Sequence, residues 1–542
     1  MFQIGEHNMI LIYKLTLTKL TEDELKKDFA TIPSWATHLD LSNNRLGETS
    51  NEELIRFFAK IPGWISHIKL RFNNLGQKNG KDLAKAFAKI PISVTTLDLG
   101  SNQLGKKSGE ELANAFAGIP TSVTRLILSQ NELYKRTGGE LATAFAKIPS
   151  SVTHLVLVNN GLGEKNGKEL ATAFANIPSS VTTLDLALND LSKIKSTELA
   201  VIFTKIPTSV TQLDLSHNNL NKKSGKNLAK IFANIPTSVT NLNLSCNELG
   251  KKSGKGLAAA FAKIPTSVTD LNIEDNDLDN RTGKELAMAF AHIPAFVNTL
   301  RLGDNNLGNK SGEELAEIFA KIPLSVTSLD LRYNELGKRN GKELAIAFAK
   351  IPSSVTNLNL KFNHLGKITG EELAMAFANI PTNVDSLVLA NNELGAKSGE
   401  ELAKIFSKIP ASITSLNMGN DWFAVIEKLS QQKMVLSTIT HVVIDYSSAQ
   451  EHSAKLKLLA TVFPNLNKVT FMDIHGNNAL AGQNPIEEAK WLKLCGIKNS
   501  VPSLLSQALF FVAKNKEHRS IQDYPSLLPK ELTDSISSLL KC

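Results

Sequence analysis

The residues that could do chemistry in this chain are recurrent glycine-lysine loops, three cysteines, scattered histidines, and aromatic rings set beside cations. A loop such as GEKNGK, Gly163 to Lys168, brings glycines and a lysine together much as a phosphate cradle does. Phosphate binding, however, needs Gly-x-x-x-x-Gly-Lys followed by Ser or Thr, so that backbone N–H groups converge on the anion while the lysine reaches its outer oxygens. Here the glycines stand one residue closer and the loop recurs many times, which turn formation explains. No HExxH, paired CxxC or nucleophile elbow is present, and His217 and His364 have no evident triad partner in the sequence. No catalytic residue, metal ligand or cofactor is expected, and the chain does not read as an enzyme.

Rings beside cations offer recognition instead. Arg71-Phe72, Arg332-Tyr333 and Lys361-Phe362 occupy the same place in a repeating pattern, where other copies mostly hold small or polar residues. Rigid aromatic side chains flanked by cations are the composition of a protein-binding hot spot. Tyr333 and Phe362 fall in consecutive copies, so on neighbouring strands about 4.8 Å apart the two rings lie side by side. Ile127, Val156, Val158 and Leu188 predict an exposed apolar patch on the same face. Asp270, Glu274, Asp275 and Asp277 could receive a basic partner; strand-spaced carboxylates without a calcium-loop pattern do not read as a cation site.

What must position these residues is a period of 29. From Leu39 the corresponding residues are Ile68, Leu97, Leu126 and so on to Leu416, fourteen in register without a slip. Each unit approximates VTxLxLxxNxLGxKxGxELAxAFAxIPxS. The alternation of Leu97, Leu99, Asn102 and Leu104 predicts a short strand buried on one face and then a turn. Leu344, Phe348 and Ile351, with alanines between them, predict a short amphipathic helix behind the strand. Ile-Pro closes it, because proline lacks an amide hydrogen and restricts the residue before it. The phenylalanine series from Phe29 and Phe58 to Phe406 is expected to fill the gap between strand and helix.

These units resemble the leucine-rich repeats of the long, ribonuclease-inhibitor-like type over roughly residues 37–425. The resemblance implies an α/β solenoid: a curved horseshoe with a parallel sheet on the concave face and helices on the convex face. It implies that Asn44, Asn73, Asn102 and their successors to Asn392 hydrogen-bond backbone between coils. Asp421 replaces the asparagine in the last unit, which suggests that the regular array ends there. The organisation expected is a cap over residues 1–36, repeats over 37–425, degenerate repeats over 426–485, and a C-terminal helical region over 486–542. The strand-like stretches HVVIDYS and KVTFMDIHGNN fall in the degenerate part.

The last region carries a second resemblance. SLLSQALFFV, Ser503 to Val512, followed by LPKELTDSI, Leu528 to Ile536, is similar to a SOCS-box or VHL-box pair, in which one helix binds elongin C and a later segment binds a cullin. Ser503, Leu504 and Val512 match the first motif, with Ala508 where cysteine is usual; Leu528, Pro529, Leu532 and Ile536 match the second. This implies a substrate-receptor adaptor for a host ubiquitin ligase. A helical cap covering the last coil is the competing explanation. Cys495, in KLCGIKN, lacks the Cys-x-Asp pattern of bacterial leucine-rich-repeat ubiquitin ligases.

Finally, the near-identical GKELAxAFAxIPxSVTxLDLSxNxLG units resemble the leucine-rich-repeat effectors that Legionella secretes into host cells, which implies a host protein as partner and the host cytosol as location. DSISSLLKC, Asp534 to Cys542, is compatible with a C-terminal translocation signal. MFQIGEHNMILIYKLTL does not read as a Sec signal peptide, and no run of about 18 apolar residues predicts a membrane span. Cys246, Cys495 and Cys542 make no disulfide framework, which fits a reducing compartment. Apolar content of 42% and charged content of 21% are globular values. The net charge of +8 could suggest nucleic acid, but pairs such as Lys106-Lys107, Lys222-Lys223 and Lys251-Lys252 recur with the period and read as a solvated loop edge, so none is expected as a partner. Taken together, the residues predict a non-enzymatic solenoid that binds a protein on its concave face.

Overall fold

The computed structural model describes residues 4–5, 10–16, 27–473, 476–480 and 485–497. Among the described residues eighteen strands form one sheet: Ile4–Gly5 pairs antiparallel with Ile10–Lys14, and the 17 strands from Ile10–Lys14 to Lys468–Met472 run parallel in chain order. Between His38–Asp40 and Ser386–Val388 each strand is three residues long, and register advances by one 29-residue unit per strand, as in Leu329 opposite Leu358. This is the parallel α/β solenoid that the period predicts.

Each coil follows from its residues in order. The strand leucines, such as Leu358 and Leu360, are fully buried, and a turn and a short 3-10 segment carry the chain to the convex side. A helix of eight or nine residues follows, begun in nearly every coil by Ser, Thr or Asn accepting the N–H three residues on, as Ser311 does from Glu314. The helix buries its leucine and phenylalanine: Phe232, Phe261, Phe290 and Phe319 are all closed to solvent. Isoleucine and proline then return the chain to the next strand.

Between coils the recurring chemistry is an amide ladder. Asn334 Nδ2 donates to Leu302 O at 2.9 Å and Leu331 O at 3.0 Å, while its Oδ1 accepts from the Asn305 and Leu307 N–H groups at 3.1 and 3.2 Å. Asparagine is the one side chain with both donors and acceptor at this reach, and its burial leaves none of them wanting. Asp421 keeps half of the role: its carboxyl faces the backbone amides of Asn392, Glu393 and Leu394 but has no N–H to give back, and burial raises its pKa.

The lysine pairs differ from expectation. One member turns inward: Lys107 is buried, with Nζ 3.2 Å from Gly76 O and 3.3 Å from Glu111. Lys223 Nζ likewise donates to Ile194 O at 2.5 Å. These lysines tie one coil to the one before, while their neighbours Lys106, Lys222 and Lys251 face solvent.

The sheet continues past the regular array. Ser415–Gly419 pairs with His441–Asp445 through a register shift between Asn417 and Gly419, and His441–Asp445 pairs with Lys468–Met472. Trp422, at the start of helix Trp422–Gln431, is fully buried and donates its indole N–H to Ser448 Oγ at 3.0 Å. Of the C-terminal region, the helix Pro485–Leu494 and the three residues after it are described.

Candidate protein-recognition site

The residue before each ladder asparagine is left-handed in every regular coil, including Phe72 (φ 57°), Leu188 (58°), Tyr333 (55°) and Phe362 (54°). Left-handed backbone disfavours bulky side chains by about 1–2 kcal/mol and suits Asn, Asp or Gly. An aromatic ring there strains the coil without filling its core. Tyr333 is 45% exposed and Phe362 half-buried.

Tyr333 and Phe362 stack on each other, with centroids 4.3 Å apart and planes 12° apart. Lys361 lays its ammonium 4.9 Å from the Phe362 centroid, and burial together with the nearby Arg332 lowers its pKa. Arg332 is less available than its sequence position suggests: its guanidinium sits 2.7 Å from Glu274 and 3.7 Å from Asp330. Arg71 is similarly engaged, 3.6 Å from Asp98 and donating to Gln130 at 2.8 Å, with its own ring neighbour Phe72 half exposed. Of the cations in the three pairs Arg71-Phe72, Arg332-Tyr333 and Lys361-Phe362, Lys361 alone has no carboxylate in ion-pair contact among the described residues.

Beside the aromatic pair opens a hollow of about 370 Å³, lined in part by Phe362, Lys361, Ala390, Gly419, Asn417 and Asp445. Its floor is low because Gly419 is left-handed (φ 57°) and a Cβ there would meet Ala390 Cβ at 2.6 Å. Sequence reasoning missed it. The only signal was small residues, Ala390 and Gly419, where the two preceding coils carry Arg332 and Lys361.

The other candidates are spread along the sheet. The apolar group is mostly not exposed: Val156 is buried and Ile127 and Val158 are half-buried, which leaves Leu188 open. The acidic group is partly neutralised from within, Asp270 by Arg301 at 2.8 Å and Glu274 by Arg332. Asp275 accepts the Cys246 thiol at 3.1 Å, and burial with that carboxylate pushes Cys246 up to about 12. Cys495 is closed to solvent and burial pushes it up to about 12 as well, which suits no nucleophile. The glycines of GEKNGK serve the coil stack: a Cβ on Gly163 would meet Asp190 O at 2.1 Å. The elongin- and cullin-type motif residues, Leu504, Ala508, Val512, Leu528, Pro529, Leu532 and Ile536, lie outside the described residues, as does Asp534–Cys542.

A family model for the Leucine Rich repeat matches residues 92–113, 207–229 and 236–258. Among solved structures, the leucine-rich repeat-containing protein LegL7 from Legionella pneumophila is 36% identical, covering 62% of this chain and 96% of its own, with a TM-score of 0.49. The chain belongs to the leucine-rich-repeat family. Leucine-rich-repeat solenoids offer extended concave surfaces to partners; Tyr333 and Phe362 stand in the turns that follow the strands Ser328–Asp330 and Asn357–Asn359. A chain from the Rad7 and Elc1 complex in yeast is 15% identical over 69% of this chain and 88% of its own, with a TM-score of 0.32. No curated protein matches. No helix of this leucine-rich-repeat chain is long and apolar enough, among the described residues, to cross a membrane.

Proposed function

We propose that this protein is a non-enzymatic binding solenoid, translocated into a host cell, that grips a host protein on its concave face with Tyr333 and Phe362 as anchors. The observation that carries this is the stacked pair itself: two rings in left-handed positions, Tyr333 exposed and Phe362 half-buried, in a repeat that needs neither. Strain kept where it gives no packing return is a mark of function. The hollow beside Phe362 suits one side chain of the partner, and Lys361 suits a carboxylate at its rim.

The test is affinity purification from host-cell lysate with the full chain and with the Tyr333→Ala/Phe362→Ala double variant, followed by a Kd for the protein retained. Loss of an anchor pair should weaken binding by at least about 2 kcal/mol, roughly thirtyfold. An unchanged Kd in a folded double variant sinks the assignment. A chain ending near residue 485 should retain the partner; if it instead loses elongin C and a cullin that the full chain captures, the protein is a ligase adaptor.

A further inference from the structure

The edge of the solenoid where each helix hands over to the next strand departs from the repeat in its own manner. In ten coils the second residue after the proline is a serine whose hydroxyl donates to a carbonyl of the preceding coil, as Ser267 Oγ to Val239 O and Ser325 Oγ to Val297 O, both 2.7 Å. Trp35, Trp64 and Phe296 take that place and bring no hydroxyl to it. Phe296 breaks the serine ladder between Ser267 and Ser325, and at 64% exposure it gains no core contact in return. One residue nearer the proline, Ile92 and Leu324 are 88% and 78% exposed. With Phe296 they are the three most exposed large apolar side chains among the described residues, and both tryptophans are nearly half exposed.

The same edge is basic. The second residue before the proline is lysine in eight coils, Lys89, Lys321 and Lys350 among them, all three exposed. In the eight residues from helix end to strand entry, across fourteen coils from 30–37 to 407–414, the only carboxylate is Asp385. Eight lysines against one aspartate give +7 on one edge, close to the formal net charge of +8 for the whole chain. A lysine at a helix C-terminus has a structural use, since it meets the negative end of the helix dipole. The protruding side chains of Ile92, Phe296 and Leu324 beside it leave most of their surface in solvent.

We propose that this edge is a peripheral docking surface for an anionic lipid membrane. Tryptophan and phenylalanine settle at the headgroup level, aliphatic tips bury beneath it, and lysines just outside meet the lipid charge. The fixed period puts two apolar clusters, Trp35, Trp64 and Ile92 in the first coils and Phe296 and Leu324 further along, on one edge of the stack, with the recurring lysines running between them. A single-stranded nucleic acid would also favour cations and rings, but it asks for a groove with stacking platforms. Ile92 and Leu324 protrude singly and offer no π-face. The edge is separate from the concave face, so a membrane-bound chain keeps Tyr333 and Phe362 free for a partner.

The experiment uses the full chain with vesicles of phosphatidylcholine, alone or mixed with phosphatidylserine, and reads co-sedimentation and tryptophan emission. Wild type should sediment with the mixed vesicles only, less so at high salt, with a blue shift from Trp35 and Trp64. The variant Trp64→Ser/Phe296→Ser/Leu324→Ser restores residues the repeat itself uses, so it should fold at least as well while losing about tenfold or more in vesicle affinity. Lys89→Glu/Lys321→Glu/Lys350→Glu should lose a comparable amount. Equal sedimentation with both vesicle types, or an unaffected serine variant, overturns the proposal. So does binding of single-stranded RNA without vesicle binding.

Discussion

A single carboxylate on the concave sheet sets part of the pH response. Asp185 lies opposite Asp214 on the next strand; burial first, and then the Asp214 charge, push its pKa up from 3.8 to about 6. An acid that holds its proton more tightly folded than unfolded contributes stability that is fully present below its ordinary pKa and is lost as pH rises through the folded value. The window here therefore runs from about pH 4 to about pH 6. The repeat supplies the control. Asn243, Asn272 and Asn359 occupy the same position and accept the same backbone bond at 3.0, 2.9 and 3.0 Å that Asp185 accepts from Ala187 at 3.0 Å. Asp185→Asn should keep that bond and remove the titration, so its Tm should match wild type near about pH 4 and exceed it at about pH 7.5. Parallel Tm curves across that range would show that the charge costs nothing.

At the scale of the element, the asparagine ladder and the glycine after it govern how closely coils stack. Where that glycine is present, its N–H reaches the asparagine carbonyl of the next coil at 2.7 to 2.9 Å, as from Gly308 to Asn334 at 2.7 Å. Where Tyr134, Ser192 or Asn221 stands instead, the same bond is 3.1 to 3.3 Å, because a Cβ presses on the neighbouring backbone. Removing the ladder amide is harsher. Asn334→Ala strands two carbonyls and two amides in a closed interior, and urea unfolding should report a loss of about 3 kcal/mol. A loss below about 1 kcal/mol would mean that water enters and replaces the side chain. The elements and their register are legible in the sequence because the period is strict: Leu39 to Leu416 places every strand of the regular array, and the meeting of Tyr333 with Phe362 follows from register alone. Other features depend on side-chain reach, which residue type leaves open. Lys107 bends in to Gly76 while Lys106 does not, and Arg332 finds Glu274 two coils away. The hollow beside Phe362 depends on the left-handed Gly419 and on Asp445, a residue beyond the regular repeat.

On the scale of the whole molecule, a solenoid is as strong as its weakest coil interface, since each coil packs only on its neighbours. The sixth regular coil gathers four departures in SKIKS, Ser192 to Ser196. Ser192 stands for glycine and its bond to Asn218 O stretches to 3.3 Å. Ile194 stands for the lysine that ties a coil to the one before, as Lys165 does to Tyr134 O at 2.9 Å. Lys195 is the N-cap of helix Ser196–Phe203 and makes no side-chain cap bond, unlike the caps of the neighbouring helices Gly167–Phe174 and Gly225–Phe232. Ser196 itself replaces the glycine that opens both of those helices. Between this helix and Gly167–Phe174 lies a groove of about 580 Å³ lined by Ala171, Thr172 and Val201. Glu198 still bridges to the Gly167 N–H at 2.9 Å, so the seam is weakened and not broken. Hydrogen exchange should therefore find Ser196–Phe203 the least protected of the regular-coil helices, and brief trypsin treatment should cut first at Lys193 or Lys195 to leave two folded halves. Ser192→Gly/Lys195→Ser restores a close approach and a cap, and should raise the local opening free energy by about 1–2 kcal/mol. First cleavage elsewhere, or equal protection in every coil, would mean that the array opens as one cooperative unit and that these four substitutions are absorbed by the coils on either side.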